Sequence, residues 1–260
     1  MPLGRIALAL LVTLVWQPTQ AAPPQPASIP PHRAEYLLTR DGLPFGVMTM
    51  ELTVAADGGY RYLASTEPHA ALALVRQALE LGDDPSQTEE SSGRLIEGRF
   101  RPDTYKFRRQ GGETVRALDL RFDWEQGRAF MESEGKPWSM PVPAETQDKL
   151  SVLLTLRQEL NQSPGEHSYS VADGGRLKTY SFRVVGMESL LGPWGERDTL
   201  ALERSKDERG TDYRLWLDPT RYLLPVRVER DEGGSLYVME LIRTLPDDLP
   251  QATDEVHPAP

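Results

Sequence analysis

Apolar and polar side chains alternate with a period of two along much of this chain. In TVRALDLRFDW (114–124), Leu, Phe and Trp occupy every second position from Leu118 onward, and charged residues stand between them. The same alternation recurs in TYSFRVV (179–185) and DYRLWL (212–217), and less cleanly in GVMTMELTV (46–54). In a β-strand this pattern places apolar side chains on one face and charged side chains on the other. The chain is therefore predicted to form about ten to twelve strands of a sheet with one face in water.

Short turn signals separate these strand-like runs. Glycine tolerates the positive φ of tight hairpin turns, and Asp or a second Gly commonly accompanies it there. Short links join antiparallel neighbours, so the predicted sheet is a meander with few crossovers. The turn signals are Asp41-Gly42, Asp57-Gly58-Gly59, Gly111-Gly112, Asp173-Gly174-Gly175 and Gly233-Gly234.

One segment breaks the period of two and has the period of a helix. In ETQDKLSVLLTLRQEL (145–160) the apolar side chains cover an arc of about 200°, wider than the roughly 100° stripe of a helix that lies on one surface. Only Lys149 and Arg157 interrupt this arc. Thr146 is the predicted N-terminal cap, and Ser163-Pro164-Gly165 ends the helix. We expect a helix that is buried on more than one side by a curved sheet.

A second helix is predicted over EPHAALALVRQALEL (67–81), with Thr66 before Pro68 as its start signal. The predicted fold is thus mainly β: a curved antiparallel meander sheet, half-barrel-like, wrapped around one or two α-helices. Two interpretations of the central helix stay open. Either it fills the concave face as core, or helix and sheet line an apolar cavity for a lipid-like ligand. The residues expected to line such a cavity are Leu72, Val75, Leu150, Leu153, Leu154, Trp194 and Trp216.

Both ends of the chain differ from its middle. Residues 1–21 have the features of a secretory signal peptide: basic Arg5, an apolar run from Ile6 to Trp16, and small residues near Ala21. Residues 22–32 form a proline-rich leader, and residues 245–260 form an acidic tail predicted to be disordered. One β-rich domain is expected over residues 33–244. The mature protein is expected to be soluble and periplasmic, without an integral membrane segment.

Charge and composition narrow the classes of function. The formal net charge is −10, which disfavours binding to nucleic acid. The chain has no cysteine, hence no disulfide, and its four histidines are too scattered to predict a metal site. No nucleotide-binding loop, zinc-protease helix or serine-hydrolase elbow occurs. The sequence therefore predicts no cofactor, no metal, no catalytic residue and a protein that is not an enzyme.

Three stretches together resemble a known group of proteins. These are the Gln147-Asp148-x-Leu150-Ser151 segment, SYSVADGGRLKTYSFRVVG (168–186) and LWLDPTRYLLPVRVERDEGG (215–234). The chain is similar here to bacterial exported proteins of the domain of unknown function 3108, over approximately residues 34–244. The resemblance implies export and a single β-rich domain. That group has no established activity, so no catalytic residue is implied.

The closing unit of the chain resembles a second group. Trp216, Asp218, Leu224-Pro225 and Gly233 are similar in pattern to the last strands of periplasmic lipoprotein carriers, whose curved half-barrel holds acyl chains beneath helices. No arginine of this chain matches the functional arginine of those carriers. The resemblance implies a lipid or lipoprotein acyl chain as a possible partner.

Three functional hypotheses follow from the sequence. The first is a non-enzymatic periplasmic binding or carrier protein for an apolar, lipid-like component of the cell envelope. The alternative is an interaction and assembly module with a filled core, which binds an envelope protein through a sheet edge or the proline-rich leader. The third is a hydrolase that uses carboxylates from several strands. A cavity between the helix and the sheet distinguishes the first from the second.

Overall fold

A computed structural model describes residues 29–68, 86–111, 114–133, 135–205 and 210–246. In these ranges the chain forms fourteen strands, one α-helix, α1 (Ser151–Leu160), and a short 3-10 turn (Pro219–Arg221). The strands are β1 (His32–Arg40), β2 (Leu43–Val54), β3 (Gly59–Pro68), β4 (Ser86–Ile96), β5 (Arg99–Gly111), β6 (Thr114–Asp123), β7 (Arg128–Ser133), β8 (Lys136–Pro141), β9 (Glu166–Asp173), β10 (Arg176–Gly192), β11 (Gly195–Arg204), β12 (Asp212–Asp218), β13 (Leu224–Glu232) and β14 (Ser235–Leu245).

All the described strands belong to one antiparallel sheet, in the order β8-β7-β6-β5-β4-β3-β2-β1-β14-β13-β12-β11-β10-β9. Each strand pairs with its neighbours in the chain, except that β8 and β9 form the two edges and do not pair, and β1 pairs with β14 at the centre. The first eight strands therefore run outward from the centre, and the last six run back toward it. The connection from β8 to β9 joins the two outer edges of the sheet, and α1 lies in this connection. The predicted curved meander sheet around a helix is confirmed.

The alternation of apolar residues fixes which face of each strand is buried. In β6, Leu120 and Phe122 are 4% and 5% exposed, and the intervening Arg121 is exposed. Pro225 in β13 coincides with a β-bulge, because the register between β12 and β13 shifts between Trp216 and Leu217. Proline within a sheet is confined to edge strands and bulges, because it lacks the N–H group that the ladder requires.

Most of the predicted hairpin turns are present. At Asp41-Gly42 both residues have positive φ, 50° and 80°, as a type I′ turn between β1 and β2 requires. The number of strands was underestimated because some turns lack the expected residues. The β4–β5 turn contains Glu97 at φ 51° before Gly98, and a glutamate does not indicate a left-handed turn position.

Gly93 in β4 lies at a bulge opposite Pro102, where the two backbones approach closely. A Cβ atom at this position would lie 2.1 Å from the carbonyl oxygen of Arg101 and 2.8 Å from the Cα of Pro102. Both are backbone atoms, which cannot move without distorting the ladder. We therefore expect Gly93→Ala to lower the free energy of unfolding by about 2 kcal/mol, the range of overpacked cores. Urea unfolding measures this loss, and because the φ of Gly93 is not positive, the loss reports the backbone clash rather than a left-handed conformation. Equal stability of Gly93→Ala and wild type would contradict it.

Helix α1 is shorter than predicted. It begins at Ser151 rather than near residue 145, and Thr146 does not cap it, because its hydroxyl donates to the carbonyl of Pro143 at 2.9 Å. The side chain of Asp148 instead accepts from the backbone N–H groups of Leu150 and Ser151, both at 2.8 Å. The capping residue was misplaced because residues 145–150 form turns that only tertiary contacts hold.

The predicted burial of α1 is confirmed. Eight of its ten residues are buried, and two groups of core side chains lie around it. Leu154 packs into the larger group with Tyr36 and Phe100, and Leu156 packs into the second group with Phe182. The helix therefore has core side chains on more than one side.

The start signal for the second predicted helix is wrong. Thr66 and Pro68 are the last residues of β3, where Thr66 pairs with Gln87 and Pro68 pairs with Gly46. The rest of that predicted helix, with Leu72 and Val75, lies outside the described residues, as do the signal peptide and residues 247–260. Of the proline-rich leader, residues 29–32 are described: Ile29 is 2% exposed and β1 begins at His32.

Candidate functional site

Residues 147–151 tie the β8–β9 connection to both parts of the sheet. The backbone N–H of Gln147 donates to Ser170 and its carbonyl accepts from Ala172, each at 2.8 Å, so this residue pairs in parallel with the free edge of β9. Its side-chain amide donates to the carbonyl of Phe100 in β5 and its amide oxygen accepts from Thr155 in α1. The Gln-Asp-x-Leu-Ser segment thus holds the connection in place.

Asp148 of the same segment is a fully buried carboxylate. It accepts a hydrogen bond of 2.6 Å from the hydroxyl of Ser91 in β4, and that hydroxyl also lies 3.1 Å from the phenol of Tyr60 in β3. Burial raises the pKa of Asp148 to about 6, against the opposing effect of the hydrogen bonds from Ser91, Ser151 and Leu150. This carboxylate anchors α1 to strands β3 and β4.

A cavity of about 180 Å³ lies beside Lys149, where the two outer edges of the sheet approach each other. We call this cavity the seam cavity, because strands β5–β8 form one wall and the β9–β10 turn forms the other. The wall side chains are mostly aliphatic, aromatic or thioether groups. The residues that line the cavity are Tyr105, Phe107, Leu118, Leu120, Met131, Met140, Lys149, Ala172, Asp173, Gly174 and Gly175.

Charged groups stand beside the apolar walls. The ammonium group of Lys149 lies 3.3 Å from the carboxylate of Glu89 and 5.9 Å from the ring centre of Phe107. The phenol of Tyr105 donates to Glu89 at 2.5 Å. The Lys149 side chain is 37% exposed, so its charge lies between the apolar walls and water. The seam cavity can therefore hold an apolar group whose polar end stays near Lys149.

Asp173 stands on the other side of the cavity and is already paired. Its carboxylate accepts from Lys178 at 2.7 Å and from the phenol of Tyr180 at 3.0 Å. Burial acts to raise the pKa of Asp173, but the hydrogen bond from Lys178 and the charges of Lys149 and Lys178 hold it below its usual value. Asp173 is the one carboxylate among the residues that line the seam cavity, and Glu89 stands behind Lys149 and Tyr105.

The β9–β10 turn closes the cavity by direct contact with β7. A Cβ atom at Gly175 would lie 3.0 Å from the terminal methyl of Met131, and the φ of Gly175 is +78°. The contact involves the end of a flexible methionine side chain, and no ladder hydrogen bond joins β8 to β9. No strand pairing therefore joins the turn to β7.

Of the residues expected from sequence to line a cavity, those that the structure describes lie outside the seam cavity. Leu150 and Leu154 are buried in the core, at 5% and 0% exposure, and Leu153 is partly buried against both groups of core residues. Trp216 is 6% exposed and donates to the carboxylate of Glu188 at 2.9 Å. None of these residues lines the seam cavity, and their contact with a ligand stays a prediction.

Trp194 lies in the turn between β10 and β11, and its ring lies over Gly192, where a Cβ atom would be 2.3 Å from the indole. It does not line the seam cavity either. The cavity residues of β5–β8 were missed because their alternation indicates only a buried face. Lys149 was the available signal, because it is one of the two charged side chains within the apolar arc of the helix segment.

The described residues contain neither a cluster of metal ligands nor a membrane-spanning helix. No three or more His, Asp or Glu side chains in this part of the chain lie together as metal ligands would. No helix in the same ranges is long and apolar enough to cross a membrane.

Comparisons with known proteins identify a family and a fold. The sequence model of a family described as protein of unknown function (DUF3108) matches residues 35–242. No curated protein matches the chain. The crystal structure of a β-barrel-like protein of the domain of unknown function DUF1849 from Brucella abortus is similar, with a TM-score of 0.53 and 12% identity over 84% of this chain and 98% of that one. At this identity the likeness shows the fold alone.

A protein with a YmcC-like fold from Bacteroides fragilis NCTC 9343 matches less well. Its TM-score is 0.34 and its identity is 11%, over 82% of this chain and 93% of that one. MucB in complex with MucA has a TM-score of 0.14 at 12% identity, over 81% of this chain and 87% of that one. Neither score supports an argument about this chain.

Proposed function

The chain belongs to the DUF3108 family of proteins of unknown function, and we propose that this member is a non-enzymatic binding or carrier protein for an apolar, lipid-like component of the cell envelope. It acts in the periplasm after its signal peptide, residues 1–21, is removed. The single observation that supports this function is the seam cavity, with apolar walls and a charged residue at its side.

The position of the cavity supports entry of a ligand. A ligand that enters through a continuous sheet must break ladder hydrogen bonds, each of which stabilises the fold by about 1 kcal/mol. At the seam the edges β8 and β9 are not paired with each other, so a ligand only has to part the Gly174-Gly175 turn from Met131. The fold thus supplies a route that leaves its strand pairing intact.

The size and charge of the cavity indicate the class of ligand. Its volume of about 180 Å³ is below the roughly 300–1,000 Å³ of ordinary small-molecule pockets, so it accepts one apolar group, such as the end of a single acyl chain. Lys149 favours a ligand with an anionic end. A single-chain amphiphile with a carboxylate fits both properties.

We expect Ala172→Leu to reduce uptake of a fluorescent fatty acid at least tenfold. Ala172 lines the cavity and is 4% exposed, so the three added carbons occupy space that the ligand needs. Fluorescence titration and native mass spectrometry measure binding. The matched control is Ala117→Leu, which makes the same change on β6 at a position next to Leu118 and on the opposite face of the strand. Uptake by Ala172→Leu equal to that of wild type and Ala117→Leu would contradict the proposal.

The alternative function is protein binding at the free edge of β8. This edge carries Trp138, which is 42% exposed, and an extended peptide can add a strand to an unpaired edge. Pro137 and Pro141 lack N–H groups and shorten the edge that a partner can use. Ala172→Leu leaves this edge unchanged. Two results together would favour the alternative. The wild type would take up no fatty acid, and an envelope protein would bind Ala172→Leu as it binds the wild type.

A further inference from the structure

Arg157, near the middle of α1, is a buried cation without a counter-ion in the described part of the chain. It is 2% exposed, and none of the ion pairs among the described residues involves it. Its Nε donates to the carbonyl of Tyr222 at 3.0 Å, and one terminal nitrogen lies 3.3 Å from Nε2 of His32. The other terminal nitrogen, NH2, is buried and has no hydrogen-bond partner. A buried charge in this state is costly unless it is paired.

His32 is neutral and acts as an acceptor toward Arg157. Its Nδ1 lies 2.8 Å from the carbonyl of Pro30, which can only accept, so Nδ1 carries the proton and Nε2 is free to accept from Arg157. Burial, and then the charge of Arg157, lower the pKa of His32 to about 3. The neutral imidazole thus occupies one position beside the guanidinium. An anion at that position would bind the guanidinium more strongly than the imidazole does.

Two phenols lie near Arg157. Tyr36 and Tyr62 are 1% and 2% exposed, and the charge of Arg157 acts on both phenols. Burial, the largest effect, raises the pKa of both phenols, so both keep their protons. The hydroxyl of Tyr62 donates to the sulfur of Met50 at 3.8 Å, a weak acceptor, and its oxygen can still accept from Arg157. The described groups around the guanidinium are therefore neutral, and none of them is an anion.

The carbonyl that Arg157 does bind comes from a strained turn. Tyr222 has φ 51° and ψ 41°, and Leu223 has φ 54°, so two consecutive residues with side chains adopt the left-handed conformation. Such residues each cost on the order of 1–3 kcal/mol and concentrate at functional sites. The carbonyl of this turn accepts from Nε of Arg157, so the two terminal nitrogens remain available for another partner. These two nitrogens are the ones that can bind an oxyanion in a bidentate manner.

We propose that Arg157, Tyr36 and Tyr62 form a binding site for an oxyanion, a carboxylate or phosphate group, which displaces His32 from the guanidinium. The site is separate from the seam cavity, because Arg157, Tyr36 and Tyr62 are not among the residues that line that cavity. His32 is the first residue of β1, where rotation of its side chain breaks no strand pairing. An anion at this position supplies the counter-ion that the cluster lacks.

The test measures binding of inorganic phosphate, laurate and uncharged dodecanol to the purified protein by calorimetry and by the shift in thermal midpoint. Phosphate or laurate is expected to bind the wild type, and Arg157→Met is expected to weaken that binding at least tenfold. Arg183→Met is the matched control, because it removes an exposed arginine whose partner is Glu203. Binding of dodecanol is expected to be the same in all three proteins. Phosphate binding alone identifies a free oxyanion, and laurate binding alone identifies the head group of an amphiphile.

The proposal is overturned if neither anion binds the wild type, or if Arg157→Met binds both as tightly as the wild type does. Laurate binding that is lost in Ala172→Leu and kept in Arg157→Met belongs to the seam cavity and also counts against it. Should Arg157→Met fail to fold, His32→Ala gives a second test. Removing the competing imidazole is expected to tighten anion binding at least threefold, and unchanged or weaker binding overturns the proposal.

Discussion

Replacing Leu154 with alanine is expected to lower the free energy of unfolding by about 3–5 kcal/mol. Leu154 is 0% exposed and packs among strand residues from both halves of the sheet. The loss combines the transfer free energy of the removed carbons with the cavity that remains, and Leu→Ala changes in cores cost about 2–5 kcal/mol. The upper part of that range applies because α1 has core side chains on several sides, so the surroundings cannot collapse onto the gap.

Leu153→Ala is the matched control for this prediction. Leu153 is partly buried on the same helix, so the identical change is expected to cost about 1–2 kcal/mol, in proportion to the smaller buried area. Urea unfolding followed by tryptophan fluorescence gives both values, provided that the denaturant slope is unchanged. A cost below about 1 kcal/mol for Leu154→Ala, or equal costs for the two variants, would show that the helix is not enclosed by the sheet.

Asp148→Asn is expected to remove a dependence of stability on pH. The pKa of Asp148 is raised from its ordinary 3.8 to about 6 in the folded protein, with burial as the main cause. Between about pH 4 and pH 6 the folded protein keeps this proton while the unfolded chain has lost it, so the wild type loses stability as the pH rises through this window. Each pKa unit corresponds to about 1.36 kcal/mol, so the free energy of unfolding of the wild type falls by a total on the order of 3 kcal/mol across this window. An asparagine can accept the same N–H groups and does not titrate.

Urea unfolding at several pH values between 4 and 7 measures this effect as the difference between variant and wild type. The free energy of unfolding of Asp148→Asn minus that of the wild type should rise with pH through the window and then stay constant. Asp173→Asn is the control that stays flat in this window. The pKa of Asp173 is lowered in the folded state, so the stability that its charge contributes is lost only below about pH 4, and the difference between this variant and the wild type stays constant between pH 4 and 7. A flat difference for Asp148→Asn would show that this carboxylate is not desolvated.

Much of the fold could be predicted because its signals are local. The alternation in β6 and the Asp41-Gly42 turn depend on neighbouring residues, so a short stretch of sequence contains the whole signal. The wide apolar arc of α1 predicted its burial for the same reason. The start of the helix was misplaced because Asp148 and Gln147 are held by Ser91 and β9, which are distant in the chain.

The candidate sites could not be predicted in the same way. The seam cavity combines side chains from β5–β8 with Lys149 and the β9–β10 turn, and each of these looks like ordinary core or loop in the sequence. Arg157 was visible as a charge within an apolar arc, but its neighbours Tyr36 and Tyr62 come from strands more than ninety residues earlier in the chain. The identity of such neighbours depends on which strands pair.

The sequence by itself determined that this chain forms antiparallel strands joined by short turns around a buried helix, because strand period, turn chemistry and helix period are properties of adjacent residues. Only the tertiary structure decided that β1 pairs with β14, that β8 and β9 remain as the two edges, and that the seam cavity lies between them. The physical reason is that the alternating pattern of one strand does not specify its partner, since strands with the same pattern can pair in many combinations. Burial of the whole core selects one arrangement among them.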